Sequence, residues 1–373
     1  MWGTQRFGYA AGVRFLVNFA VPALLAALLP ACAAGQTAGE VSGPWVMEQS
    51  GTTAGLRGIH AVSAEVAWAS GTGGTILRTV DGGTTWTRCA VPPGAEKLDF
   101  RGIWAWDAQT AIAMSSGPGD ASRLYKTVDG CASWKLVVTN PDKDGFWDAI
   151  NCADQADCVI LGDPVEGRFV IFESDEEQAK AVTWLRSPDG NDLKSTPGEG
   201  AFAASNSALM INWVDGPLLF GTGGPKGARI VRDACEGACG DHLKLAGIAL
   251  PFFPEGAASG IFSIDYRDWR RIVAVGGDYT KPSDSTGTAA WSADGGKTWH
   301  AAAKPPHGYR SAVAWDGEAK AWIAAGTNGS DISYDDGKTW VPLDNGNWNA
   351  LSLPWVVGPD GRVGKLEAGK LKK

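Results

Sequence analysis

Thr79-Val80-Asp81-Gly82-Gly83-Thr84-Thr85-Trp86 decides how the chain is read, because it returns three more times. The copies are Thr127-Val128-Asp129-Gly130-Cys131-Ala132-Ser133-Trp134, Ser292-Ala293-Asp294-Gly295-Gly296-Lys297-Thr298-Trp299 and Ser333-Tyr334-Asp335-Asp336-Gly337-Lys338-Thr339-Trp340. A degraded copy starts at Glu173-Ser174-Asp175 and ends at Thr183-Trp184. Each has the makings of a tight β-turn. The carboxylates of Asp81, Asp129, Asp294 and Asp335 accept backbone N–H groups, and glycine takes a conformation closed to other residues. Trp86, Trp134, Trp299 and Trp340 then pin the strand that follows. These eight residues are structural, and the motif carries no chemistry of its own.

A second element recurs upstream of the turns. Apolar strand starts align at Ile59, Ile103, Ile150, Phe202, Ile261, Val313 and Leu351, 38 to 59 residues apart. That spacing suits one four-stranded propeller blade per repeat, with insertions in the loops. In the first unit, residues 57–63, 66–70, 75–79 and 86–90 read as four strands, by alternation and β-branched content between glycine-rich breaks. The last unit, 351–366, supplies only three. The orphan Trp45-Val46-Met47-Glu48-Gln49 resembles an outer strand and supplies the fourth, which removes an exposed sheet edge. The expected fold is therefore all-β, a seven-bladed β-propeller of four-stranded antiparallel blades closed by its N-terminal strand. It occupies residues 44–368 as one domain, followed by a basic tail at 369–373.

Composition agrees. Glycine makes up 50 of 373 residues, about 13% against a usual ~7%. There are 18 Trp and only 4 Met, which argues against a helical bundle. The formal charge of −8 argues against nucleic acid as a default partner. Four His leave little scope for a His-rich metal site. Residues 221–227 lack the Gly-Lys-Ser/Thr ending of a phosphate loop, and Asp142-Lys143-Asp144-Gly145 is too short for an EF-hand. No cofactor and no metal is expected.

Residues 1–33 read as a secretory signal: Arg6 and Arg14, then an apolar run at 15–29, then small residues. Two cuts fit. Ala31-Cys32-Ala33 suits cleavage after Ala33, whereas Leu29-Pro30-Ala31-Cys32 resembles a lipobox that would leave Cys32 lipidated. Both predict export to the periplasm or beyond, the second with a membrane anchor, and residues 34–43 then form a linker. In an oxidising compartment the six other cysteines suggest disulfides. Cys152 with Cys158 and Cys235 with Cys239 are local pairs, and Cys89 and Cys131 remain. A metal knuckle at Cys235, Cys239 and His242 has no clear fourth ligand.

In a propeller the motif turns join strands three and four on one rim, and the insertions here fall on the opposite face. They include residues 162–167, 188–200, 221–227 and 276–282. Binding residues concentrate on loops held by rigid scaffolds. The residues beginning each inner strand should ring that channel mouth: Arg57, Arg101, Asp148 with Trp147, Glu199, Ser259, Arg310 with Tyr309, and Asn349, with Tyr279 on a neighbouring loop. Three arginines, two acids and several aromatics would form one polar pocket.

The turn motif is the Asp box, and the chain carrying it resembles the photosystem II stability/assembly factor-like family of exported bacterial propellers, related to the BNR or sialidase-type repeats. Matching segments include Phe146-Trp147-Asp148-Ala149-Ile150, Gly162-Asp163-Pro164, Gly276-Gly277-Asp278-Tyr279, Gly308-Tyr309-Arg310-Ser311 and residues 355–365. The resemblance implies a non-catalytic assembly factor that binds a protein or peptide client. Photosynthetic members bind theirs through an arginine-lined face, for which Arg57, Arg101 and Arg310 would be the counterpart. The acidic net charge, with Asp148 and Glu199, departs from that picture. The alternative is a glycoside hydrolase in the channel mouth, sialidase-like or using Asp148 and Glu199 as its two carboxylates.

Overall fold

Short glycine-bearing turns return the chain on itself, so each strand pairs with its neighbour in sequence. The computed structural model describes residues 43–371 except 156, 176–182, 187–192, 212–217 and 234–243. The leader with Cys32, the Cys235–Cys239 pair and His242 lie outside the described residues. Seven four-stranded antiparallel sheets follow one another. Their first strands, which line the channel, are Leu56–Ala61, Phe100–Ala105, Trp147–Cys152, Leu209–Ile211, Ser259–Tyr266, Ala312–Asp316 and Ala350–Ser352. Six blades use four consecutive strands. The seventh takes Trp45–Glu48 as its outer strand, antiparallel to Val363–Leu366, with Trp45 opposite Leu366 and Glu48 opposite Val363.

The fourth blade departs from expectation. Its inner strand starts at Leu209, so Phe202 is not a strand start. Residues 201–207 cross the channel instead, as described below.

The hydrophobic core is divided among the blade interfaces. Seven clusters of buried side chains occur among the described residues, one between each pair of adjacent sheets. Tryptophan dominates several of them because one indole spans much of the gap between sheets. Trp134 of blade 2 meets Trp68 of blade 1 edge-on at 6.4 Å, and Trp86 of blade 1 meets Trp355 of blade 7 at 6.3 Å. Each motif tryptophan thus pins its strand to the preceding blade.

The Asp boxes share one hydrogen-bond pattern. In the first, the Thr79 hydroxyl donates to Asp81 at 2.9 Å and accepts from the Gly83 N–H at 2.9 Å. Asp81 accepts the Thr85 N–H at 2.9 Å and its hydroxyl at 2.6 Å. The same bonds recur around Asp129, Asp294 and Asp335. The hydroxyl and N–H of Ser133 hold Asp129 down to about 2. In the degraded copy Ser174 pairs with Trp184 across the third and fourth strands, while the turn lies outside the described residues.

Box glycines Gly83, Gly296 and Gly337 have φ of 91°, 78° and 78°. A Cβ at Gly296 or Gly337 would press on Leu219 or Val273, each on the preceding blade. Cys131 holds this place in the second box with φ 68°, and its side chain reaches the preceding blade as a disulfide to Cys89. Cys152 and Cys158 lie opposite each other in their hairpin and form the second disulfide.

Ring closure carries stability. The Trp45 ring is buried, donates to the Ser330 hydroxyl at 3.0 Å and lies 6.0 Å from Trp348. Trp45→Ala is expected to cost about 3–5 kcal/mol, whereas Trp269→Ala, at a half-exposed hairpin tip, should stay within about 0.5 kcal/mol. Urea unfolding of the two variants checks this.

Candidate functional site

Four inner strands carry a β-bulge at the same height. Leu56 pairs with Gly71 and Gly58 with Ser70, leaving Arg57 as the extra residue. Arg101, Asp148 and Phe262 are the extra residues in blades 2, 3 and 5. A bulge re-aims a side chain out of the sheet's alternation, and all four line one cavity at the mouth where the inner strands begin. The local sequence is apolar–x–small–Ile, as in Leu56-Arg57-Gly58-Ile59 and Phe100-Arg101-Gly102-Ile103. The small residue is required by crowding: a Cβ on Gly58 would lie 2.7 Å from the Arg101 carbonyl oxygen. In blades 6 and 7 the corresponding cavity residues are Ser311 and Asn349.

Residues 201–207 floor this cavity. Asn206 accepts the Ile150 N–H at 2.8 Å and donates to the Ile150 carbonyl at 3.1 Å. Ser205 donates to the Ser311 carbonyl at 2.6 Å, and Ser207 to the Ser263 hydroxyl at 2.7 Å. One short segment therefore ties blades 3, 5 and 6 together across the axis. Its residues 201–204 line the upper cavity of about 400 Å³, and 205–207 line a lower one of about 680 Å³.

Two of the perturbed groups on the lower cavity have structural duties. His60, lowered to about 4 by burial, accepts the Ala105 N–H of the next blade at 3.3 Å. Asp265, raised by burial to about 6, accepts the Trp315 N–H of its own next blade at 2.7 Å. Both satisfy the free backbone edge of an inner strand, which would otherwise be buried without partners.

Charges in the upper cavity are unevenly paired. Arg101 Nε is 2.8 Å from Asp99 and Arg57 Nε 3.8 Å from the same carboxylate, while Arg101 also donates to the Ala203 carbonyl at 3.2 Å. Asp148 is 1% exposed, and its Oδ2 has no hydrogen-bond partner among the described residues. Burial, then the neighbouring Asp163, push it well above the usual carboxylate range, against the pull of Arg101. Asp163 is raised by burial to about 6 although it accepts the Ala201 N–H at 3.0 Å. An apolar wall faces these groups: Phe202 and Phe262 stack at 3.8 Å, and Tyr309 meets Phe262 edge-on at 4.8 Å.

The structure places Arg57, Arg101, Asp148, Tyr279, Tyr309 and Asn349 on this cavity. It does not place Trp147, Glu199, Ser259 or Arg310 there. Trp147 is buried against Phe172 at 5.6 Å, and Ser259 is buried on its strand. Glu199 borders an adjoining cavity and is held by the fork of Arg229 at 2.6 and 2.7 Å, with Thr222 and the Thr196 N–H each at 2.7 Å. Burial would raise it, but these donors keep it below the usual range. Asp148 and Glu199 therefore border two adjoining cavities, which share Asp163, Ala201 and Phe202. Arg310 is fully buried, with Nε 2.7 Å from Asp331, and lies at the apolar position of its strand, the place of Leu56 and Phe100. Asp163 and Phe262 were not singled out as cavity residues in sequence, and Phe202 was read there only as a strand start. The signals for Asp163 and Phe262 were the Gly162-Asp163-Pro164 segment, which lies at the end of the strand Cys158–Val165, and the apolar–x–small–Ile pattern at Ile261-Phe262-Ser263-Ile264.

Arg310→Ala leaves the buried Asp331 with His307 alone and is expected to destabilise by about 3–5 kcal/mol, against less than about 1 kcal/mol for the partly exposed Arg57→Ala. Denaturant titration separates the two. The folded chain keeps a proton on Asp163 up to about pH 6, whereas the unfolded chain releases it near 4. Its stabilising contribution is thus complete below about pH 4 and is lost as pH rises through 6. Asp163→Asn should gain up to about 3 kcal/mol on wild type between pH 4 and pH 8, measured by urea unfolding at each pH.

The model of the BNR/Asp-box repeat matches residues 290–301, the third box with its flanks. No curated protein matches the chain. Among solved structures, YCF48 from Cyanidioschyzon merolae is similar over 87% of this chain and 99% of its own, with 16% identity and a TM-score of 0.58. A structure described as YCF48 bound to D1 peptide matches over 87% of this chain and 96% of its own, with 15% identity and a TM-score of 0.40. In repeat and fold, this chain is similar to the photosystem II assembly-factor-like BNR propellers.

Proposed function

We propose that this propeller is an exported, non-catalytic client-binding protein of the assembly-factor type, taking a segment of a polypeptide into the upper cavity. The observation that carries this reading is the convergence of Arg57, Arg101, Asp148 and Phe262, each on a bulge of a different blade, upon one blind cavity. A cavity of about 400 Å³ is of the size that receives one or two side chains or a small ligand. Its rim carries Tyr279, 52% exposed, an aromatic of the kind enriched where proteins meet. In this reading the leader at 1–33 delivers the chain to an oxidising compartment, where the two disulfides persist. Anchoring through Cys32 would hold it at a membrane. The D1 peptide belongs to the YCF48 complex; for this chain the proposal rests on the cavity.

Photo-crosslinking tests it. A benzoylphenylalanine at Tyr279 should join the protein to a polypeptide in a periplasmic extract, and Phe262→Arg should abolish the adduct. The same residue at Trp269, on the opposite rim, should give none. Adducts identical from both positions, or none from Tyr279, would overturn the proposal.

A further inference from the structure

The upper cavity has more acid than base in and behind its walls. Arg57 and Arg101 face three carboxylates, and Asp99 already engages both arginines. The fork of Arg101 is further occupied by the Ala203 carbonyl. What remains is Asp148, almost wholly buried with Oδ2 unpartnered among the described residues, beside Asp163. Both line the cavity. A buried carboxylate without donors is costly, and it is relieved either by taking up a proton or by receiving a cation. A cation arriving here on a flexible apolar stem would find the stacked rings of Phe202 and Phe262, with Tyr309 against them, along its path.

We infer that the cavity selects a basic side chain, lysine or arginine, from its polypeptide client, with the charged end against Asp148 and Asp163 and the stem along Phe202, Phe262 and Tyr309. This inference rests on the client-binding reading, and it reverses the polarity that Arg57 and Arg101 suggest when read alone. Those arginines are drawn instead to Asp99, and Arg101 also to the floor carbonyl of Ala203.

Random linear dodecapeptides displayed on phage and selected on the purified protein test it. The expected result is an enriched consensus with Lys or Arg at one fixed position. A synthetic consensus peptide should bind roughly tenfold or more weakly when that residue becomes norleucine. Asp148→Asn, with an unchanged melting temperature, should weaken the basic peptide similarly and leave the norleucine peptide unaffected. If Asp148→Asn fails to fold, the norleucine comparison on the wild-type protein decides. A consensus fixed on Asp or Glu and dependent on Arg57 and Arg101 would overturn the inference and leave client binding standing. So would an apolar consensus indifferent to the basic residue. Failure to enrich any peptide would contradict client binding itself, and this inference with it.

Discussion

Both faces of every blade are apolar, so every blade must have a neighbour on each side. That requirement makes the ring. A sheet with two buried faces leaves only its edges to solvent, and the ring's last sheet lacks a strand until Trp45–Glu48 returns to it. The closure joins the start of the described chain to its end by main-chain hydrogen bonds and by the indole of Trp45.

A closed ring creates a difficulty at its centre. Inner strands present free N–H and C=O groups toward the axis, and each needs a partner. The solution recurs around the channel. Ser352 serves Ala61, His60 serves Ala105, Ser263 serves Val313 and Asp265 serves Trp315, each from one blade to the next. Between blades 3 and 5 the missing upper half of the fourth inner strand is replaced by residues 201–207, whose Asn206 performs the same service for Ile150. The segment that satisfies the axis also blocks it, and the mouth above becomes a blind cavity in place of a pore. Perturbed titration at His60 and Asp265 follows from this backbone duty. Asp148 has no such duty, which marks it as different.

Fold was legible where the physics is local. An Asp box is a complete turn within eight residues, so its copies could be recognised one at a time, and the seven blades counted from the strand starts that recur beside them. The Cys89–Cys131 bridge stays open in the sequence, because only the structure shows that the glycine position occupied by Cys131 looks onto the preceding blade. The site was harder. Side chains alternate along a strand, so a slip of one residue exchanges the interior for the cavity. Counting from Arg310, a charged residue where a charge was expected, put blade 6 out by one; the cavity residue is Ser311, and Arg310 fills the apolar place by virtue of Asp331. The four bulges were visible only as a faint apolar–x–small–Ile pattern. The floor segment Ala201-Phe202-Ala203-Ala204-Ser205-Asn206-Ser207 gives no sign in sequence that it leaves the sheet, because its partners lie on blades far away along the chain.

The central claim is that residues 201–207 lock the channel and make its upper mouth a preformed blind cavity. Amide hydrogen exchange followed by NMR in the free protein measures this most directly. The account predicts that the N–H groups of Ile150, Ala201 and Ile264, held by Asn206, Asp163 and the Ser207 carbonyl, exchange only as slowly as global unfolding allows. Exchange of these three at the rate of an exposed loop, while the outer strands stay protected, would mean that the floor opens freely, and would contradict it.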